Sequence, residues 1–300
     1  MSRDDVAAAP VRVAKSSQWA LGMRTVSGVL FVPLLILLAK AGGIAFLCFV
    51  ALQSVLGLVE FYRMMRGKGH HVSAWLGHAS LLAVLGLAYR PHTPHAAFLF
   101  TAAFLLLMAF ALRRAEGRNI VEGLAVTVFG VLYVGWLSSH FVLLRELPWR
   151  AGLDYADGMK LVLYAFLVTW SCDTGAYAFG RMFGRTRPWK HISPRKTLEG
   201  SIGGFVSAGL GAWIGAVTFM HPHGGEAWLR PLDIVLLGVV VGICGQVGDL
   251  AESLLKRDCA SDDSSDLIPG HGGVLDRFDS LYFSAPLVYY YLKIVVFQVP

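Results

Sequence analysis

Long apolar stretches separated by short polar segments cover most of this chain. Each holds roughly 18–25 mostly apolar residues, and a helix needs about 20 such residues to cross the hydrocarbon of a bilayer. A transmembrane β-strand needs far fewer, so helices are the expected form. The pattern therefore predicts an all-α integral membrane protein with about nine transmembrane helices, near residues 25–40, 44–64, 72–89, 95–112, 119–144, 160–180, 201–220, 232–255 and 279–298.

The composition supports this interpretation and divides the chain unevenly. Of 300 residues, 55% are hydrophobic and 15% are charged, which is too apolar for a soluble domain. We expect an N-terminal segment over 1–24, a scaffold of about five helices over 25–160, and a catalytic region of about four helices over 161–300. Acidic residues are nearly absent from the interior of the first five stretches, where Glu60, near the end of the second, is the exception.

The distribution of basic residues predicts the orientation. Of the 26 Lys and Arg residues, 19 lie in the N-terminal segment or beside the connections after the second, fourth, sixth and eighth stretches. Basic residues are enriched on the cytoplasmic side of membrane proteins. We therefore expect a multi-pass protein of the cell (inner) membrane with a cytoplasmic N-terminus, an external C-terminus and a cytoplasmic-side active site. No basic run is interleaved with aromatic residues, which argues against a nucleic-acid partner.

The segment 245–258, GQVGDLAESLLKRD, places acids inside an apolar helix. On a helix, Asp249, Glu252, Ser253 and Lys256 would share one face. An acid at this depth is costly and usually faces a cavity or a partner. The alternative is a buried ion pair, with Asp249 neutralised by Lys256 or another base.

The segment 268–280, IPGHGGVLDRFDS, precedes the last apolar stretch. Glycines let a ligand approach the main chain closely. Alternatively, Asp276 or Asp279 caps the helix and the glycines only turn the chain. Together with Asp249, the segment offers what a magnesium-bound phosphate needs, namely carboxylates, a glycine-rich turn and bases. The candidate residues are Gly270, His271, Gly272, Gly273, Asp276, Arg277 and Asp279.

A third polar cluster runs from the sixth stretch into the seventh. Asp173 is again an acid within a span, and Ser193 and Lys196 stand just before a helix N-terminus, where phosphates bind readily. The alternatives are structural. The glycines that follow Asp173 are also typical of a helix-packing face, and the bases are also explained as topology charges. These residues are Gly175, Gly180 and Gly184, and Arg181, Arg185, Arg187 and Lys190.

These residues resemble a known signature. The run Ser253-x-x-Lys256-Arg257, then Asp263, then LIPGHGGVLDRFD from Leu267 to Asp279, is similar to that of the phosphatidate cytidylyltransferases, the CDP-diacylglycerol synthases. Two earlier motifs also resemble that family, D-x-GAYxFGRxFG from Asp173 with ISPxKTxEG from Ile192, and GDLxES from Gly248. The resemblance covers roughly residues 165–285.

The resemblance implies that CTP and phosphatidate are converted to CDP-diacylglycerol and diphosphate, with Mg²⁺, in phospholipid biosynthesis. It implies that Asp249 and Asp276 bind the metal. Phosphates would be held by Lys256, Arg257 and Arg277, and substrates by Ser193, Lys196, Ser253 and the Gly270, His271, Gly272 and Gly273 turn. Asp173, Asp263 and Asp279 would lie beside the metal. Membrane lipids as surroundings and a homodimer are also implied.

One position departs from the family pattern, which has lysine where this chain has Asp262. Three accounts are open: a nearby base such as Arg185 or Lys190 substitutes, Asp262 recruits another cation, or the protein is a paralogue with a different lipid phosphate or reduced activity. Two other classes stay in view. One is a cation-coupled transporter that uses Asp173 and Asp249, and the other is a scaffold without catalysis.

Overall fold

The computed structural model describes residues 30–90, 101–102, 105–106, 108–109, 120–222, 225–261, 264–265 and 272–299. The described chain is built from helices joined by short connections, as the sequence predicts. The helices are α1 (Leu30–Ala41), α2 (Gly43–Gly67), α3 (Ala74–Tyr89), α4 (Ile120–Arg150), α5 (Gly158–Phe183), α6 (Leu198–Thr218), α7 (Pro231–Asp258) and α8 (Leu275–Tyr291). A π turn interrupts α4 at Val131–Trp136, and another extends α8 over Leu292–Val296.

The eight helices coincide with eight of the nine predicted stretches. The fourth stretch, 95–112, lies mostly outside the described residues, and the few described there are helical. Among the described helices, α2, α4, α6 and α7 are long and apolar enough to cross a membrane, while α1 and α3 are shorter apolar helices. The all-α class is confirmed, and the number of crossings stays a prediction.

Large apolar side chains cover the outside of the helices. A soluble monomer rarely exposes so much apolar surface, whereas lipid accommodates it. The surface therefore fits a membrane protein. Examples with half or more of the side chain exposed are Leu30, Ile44, Val121, Leu210, Leu232 and Ile294.

Polar contacts between helix ends show which connections lie at the same end of the molecule. The connection after α2 contacts the end of α7 through Lys68 and Asp258, and this hydrogen bond raises the pKa of the lysine. The loop after α6 contacts α5 through the hydrogen bond from Lys160 to the His221 carbonyl, at 2.6 Å. The connections after α2, α5 and α7 thus share one end of the molecule, as the charge pattern predicts.

A buried arginine organises the break between α1 and α2. Arg145 of α4 is 1% exposed and donates to the carbonyls of Ala39 (2.6 Å), Lys40 (3.4 Å) and Tyr155 (2.9 Å). The first two are carbonyls that the end of α1 leaves without intrahelical partners. Gly42 has φ of +61°, and a Cβ there would lie 2.3 Å from the guanidinium, so only glycine fits.

Helices α5 and α6 pack closely along a row of small residues. A Cβ on Gly175 would lie 2.1 Å from the Ser207 hydroxyl and 2.9 Å from the Gly203 carbonyl oxygen. Gly180 and Gly184 lie against Thr197 at the start of α6. The packing-face interpretation of these glycines is therefore correct. The close approach brings the end of α5 next to the loop that carries Lys196.

Candidate active site

A cavity of about 540 Å³ lies between α5, α6, α7 and α8, at the end of the bundle shared by the connections after α2, α5 and α7. Its lining contains four carboxylates and three cations, which is a high density of charge at the edge of an apolar bundle. The charged lining residues are Asp173, Asp249, Asp276, Asp279, Arg181, Arg195 and Lys196. The structure thus brings together acids from three segments that are far apart in the sequence.

Asp249 of α7 forms an ion pair with Lys196, which precedes α6, at 2.8 Å. The acid is 40% exposed and the lysine 22%, so the pair lies at the cavity surface. The buried-pair alternative is therefore partly right. Asp249 is neutralised, but by another base than Lys256, and both groups stay accessible from the cavity.

Lys256 lies between two acids instead. Its ammonium group is 2.7 Å from Glu252 and 2.8 Å from Asp276. Glu252 is 1% exposed, and the lysine and Asp276 are 15% and 9% exposed. Because charges at such depth need close partners, this triad joins α7 to the first turn of α8. The sequence places Glu252 and Lys256 on one face, but Glu252 is missing from the predicted site residues.

Asp276 receives three further hydrogen bonds, all on one carboxylate oxygen. The donors are the Ser264 N–H (3.2 Å), the Ser264 hydroxyl (2.9 Å) and the Gly273 N–H (2.8 Å). A Cβ on Gly273 would lie 1.8 Å from the Ser264 oxygen, so the close approach requires glycine. The helix-capping alternative is wrong, because Val274 is the N-cap of α8 and both Asp276 and Asp279 lie inside the helix. Asp276 instead holds the turn that leads into α8.

The other two acids of the cavity sit near Ser280. Asp173 accepts the Ser280 hydroxyl at 3.2 Å, and Asp279 accepts the Ser280 N–H at 2.6 Å. Helix α8 begins at Leu275, four residues before the predicted span, so Asp276 and Asp279 lie within its first two turns. Their spacing of three residues turns both toward the cavity.

The remaining predicted site residues lie at several places around the cavity or outside the described residues. Arg257 reaches the Ile192 carbonyl at 3.4 Å, and Arg277 is exposed on the first turn of α8. Ser193 lies in the turn before Lys196, where its carbonyl accepts the Lys196 N–H at 3.2 Å. The predicted residues that do not belong to the cavity lining formed by the described residues are Ser193, Ser253, Lys256, Arg257, Gly272, Gly273 and Arg277. Gly272, with φ of +78°, begins the described turn, and Asp262, Asp263, Gly270 and His271 lie outside the described residues.

Two supporting residues went unnoticed in the sequence. Gln246 lines the cavity and donates to the carbonyls of Ser201 (3.0 Å) and Gly242 (2.9 Å), which ties α7 to α6. Ser264 contacts Asp276 as described above. The only signal for Gln246 is its spacing of three residues from Asp249, and Ser264 sits in an acidic stretch without a recognisable pattern.

The acid side of the cavity fits a magnesium ion shared with a substrate. Mg²⁺ prefers oxygen ligands and is commonly held by one or two carboxylates together with substrate phosphates. Asp249 and Asp276 supply such oxygens on one cavity wall. In the described part of the chain, no three His, Cys, Asp or Glu side chains converge as a metal-binding group.

Comparison with known proteins identifies the family of the chain. Residues 22–295 match the model of the cytidylyltransferase family. The chain belongs to the cytidylyltransferase family. Proteins named phosphatidate cytidylyltransferase are similar to this family member over most of its length. The one from a Synechocystis species is 35% identical over 91% of this chain and 97% of its own, and the one from Staphylococcus haemolyticus is 32% identical over 87% and 93%.

We predict that replacing Lys256 of this cytidylyltransferase by methionine lowers the free energy of unfolding by about 3–5 kcal/mol, because Glu252 and Asp276 lose their shared cation. Thermal unfolding in mild detergent measures the effect. Adding Glu252→Gln should recover part of the loss, since one buried charge is removed. An unchanged melting temperature for Lys256→Met would show that the triad does not stabilise the fold.

Proposed function

We propose that the protein transfers the cytidylyl group of CTP to phosphatidate, giving CDP-diacylglycerol and diphosphate in phospholipid biosynthesis. One observation carries this proposal: a single cavity at the end of an apolar bundle is lined by acids and by bases from different elements. The acidic wall is formed by Asp249, Asp276 and Asp279 of α7 and α8, and the basic wall by Arg181, Arg195 and Lys196 of α5 and the loop before α6. The acids suit a metal, and the bases suit phosphates. Family membership and the names of the relatives agree with the same reaction.

The chemistry needs positioning more than a protein nucleophile. An oxygen of the phosphatidate phosphate attacks the α-phosphorus of CTP. The bond from that phosphorus to the bridging oxygen breaks, and diphosphate leaves with the electron pair. Both reactants are anions, so the barrier falls mainly when the site neutralises charge and aligns the two groups.

The basic wall is well placed to hold phosphates. Arg181 and Arg195 line the cavity beside Lys196, and guanidinium groups bind phosphate oxygens in pairs. Lys196 also contacts Asp249, so it lies where the basic and acidic walls meet. Arg257 and Arg277 add positive charge at the same end of the bundle. These residues bind and orient the triphosphate and the lipid phosphate.

Asp249 and Asp276 would hold Mg²⁺ on the opposite wall. When bound, the ion neutralises phosphate charge and acts as a Lewis acid. Lys256 and Ser264 fix the Asp276 carboxylate in one orientation. Asp173 and Asp279 line the same cavity and supply further carboxyl oxygens.

The lipid substrate has a direct route to the cavity. Tyr177 lines the cavity and is 68% exposed, and next to it on the outer faces of α5 and α6 lie exposed apolar side chains. A diacylglycerol chain can remain in the bilayer while its phosphate enters. The flanking residues are Phe179, Met182, Phe183, Leu198 and Ile202.

We predict that purified protein incorporates radiolabelled CTP into chloroform-extractable lipid when phosphatidate and Mg²⁺ are present. Asp276→Asn should reduce the rate by about 10²-fold or more, because the carboxylate charge acts where phosphate charge must be neutralised. Asp154→Asn is the matched control and should keep the wild-type rate, since Asp154 only caps a short turn at the other end of the bundle.

Two results would contradict parts of this proposal. Folded wild-type protein that transfers no label to phosphatidate, but does so with another lipid phosphate, would indicate a paralogue with a changed substrate. Label transfer that Asp276→Asn leaves intact would remove Asp276 from the site.

The same assay tests the departure at Asp262. We expect Asp262→Lys to raise the rate, by up to about 10²-fold if the restored cation contacts the transition state. Asp262→Asn separates the loss of a negative charge from the gain of a positive one, because it removes the carboxylate without adding a base. A rate that stays equal or falls in Asp262→Lys would show that aspartate is no handicap here.

We further propose that the cavity opens on the cytoplasmic side of the cell membrane, where CTP is available. The positive-inside count then places the N-terminus in the cytoplasm and the C-terminus outside. We predict that a reporter active only outside the cytoplasm works when fused after Pro300 and stays silent when inserted after Lys190. The reverse pattern would contradict this orientation.

A further inference from the structure

Glu60 of α2 stands apart from the acids of the cavity. It is 2% exposed and lies in the N-terminal helices, far in the sequence from the predicted catalytic region. The described contacts of its carboxylate are two hydroxyls and two backbone N–H groups rather than a cation. A carboxylate so deeply buried is costly unless it is well hydrogen-bonded, so its contacts need an explanation.

Each carboxylate oxygen of Glu60 contacts one side-chain hydroxyl and one backbone N–H. One accepts the Ser265 hydroxyl and the Val274 N–H (3.0 Å). The other accepts the Leu275 N–H (2.8 Å) and lies 3.1 Å from the Ser264 hydroxyl, whose single proton it shares with Asp276. Each oxygen therefore joins the loop after α7 to the start of α8. The negative charge also suits the positive end of the α8 dipole.

These contacts lead to Asp276 by two routes. The Ser264 hydroxyl lies 3.1 Å from Glu60 and 2.9 Å from Asp276. The turn at Gly273, whose N–H donates to Asp276, is followed directly by the two N–H groups that Glu60 binds. A Cβ on Gly273 would lie 2.6 Å from Glu60, so the carboxylate packs against this turn.

We propose that Glu60 is a positioning residue for the reaction, which acts on Asp276 by clamping the loop after α7 onto the N-terminus of α8. The proposal rests on the function proposed above, in which Asp276 is in the active site. It assigns part of the active-site architecture to α2, within the region that the sequence indicates is only a scaffold. Glu60 does not line the cavity in the described structure.

The test compares Glu60→Gln with a control on the same helix pair. Glutamine keeps the shape, but its amide nitrogen cannot accept the N–H and hydroxyl that one carboxylate oxygen binds. Gln53→Leu is the control, because Gln53 is also buried on α2 and accepts the Tyr282 hydroxyl of α8 at 3.0 Å, away from the loop. Ser264→Ala breaks the hydroxyl link between Glu60 and Asp276 with little risk to folding.

We expect Glu60→Gln to lower kcat by about 10-fold or more with a smaller change in KM for CTP, as for a group whose orientation matters in the transition state. Ser264→Ala should also lower kcat. Gln53→Leu should keep kcat within about twofold of the wild-type value, although its thermal stability falls by about as much as that of Glu60→Gln. Hydrogen exchange at the amides of Val274 and Leu275 should speed up by about 10-fold in Glu60→Gln and not in Gln53→Leu.

Equal kcat losses in Glu60→Gln and Gln53→Leu, tracking stability, would overturn the positioning role. So would unchanged exchange at Val274 and Leu275 in Glu60→Gln. The exchange measurement needs no turnover, so it distinguishes the two proposals. A wild type without cytidylyl transfer rejects the function, whereas amides that stay protected in Glu60→Gln reject the clamp.

Discussion

Each charge at the edge of this apolar bundle needs a partner, and that requirement shapes the catalytic end of the molecule. Separating a carboxylate from water without compensation costs several kcal/mol. Asp249 and Asp276 are each compensated by a base on another element, while Glu252 is compensated by Lys256 on its own helix. Lys196, in the loop before α6, forms an ion pair with Asp249, and Lys256 of α7 forms one with Asp276 of α8. The two ion pairs that neutralise Asp249 and Asp276 thus also link α7 to the loop before α6 and to α8, around one cavity.

The same links place the chemistry at the border between lipid and water. Helices α5 and α6 approach closely because glycine at 175 leaves room for Ser207. This packing sets the basic wall against the acidic ends of α7 and α8. The outer faces of α5 and α6 stay apolar. A lipid substrate and a soluble nucleotide can therefore meet in one cavity without either leaving its solvent.

Much of the fold followed from the sequence, because helices in lipid must satisfy their own backbone hydrogen bonds. The apolar stretches matched the described helices, and the acids Asp173, Asp249, Asp276 and Asp279 were found in one cavity. The described cavity lining differs from the predicted site on finer points. The predicted residues that are described but lie outside it are Ser193, Ser253, Lys256, Arg257, Gly272, Gly273 and Arg277, and their roles stay predictions. Periodicity could not reveal that α8 starts at Leu275, because its first turn is polar.

The sequence alone determined the helical class, the presence of acids within the later apolar stretches and the family, since these depend on residue types and short spacings. Only the tertiary structure decided which base meets which acid. Asp249 and Lys256 share a helix face, yet Lys196 approaches Asp249 from outside that helix. It also decided the contacts of Glu60, whose partners lie more than 200 positions away. Such pairings depend on how helices pack, which spacing along one chain segment does not encode.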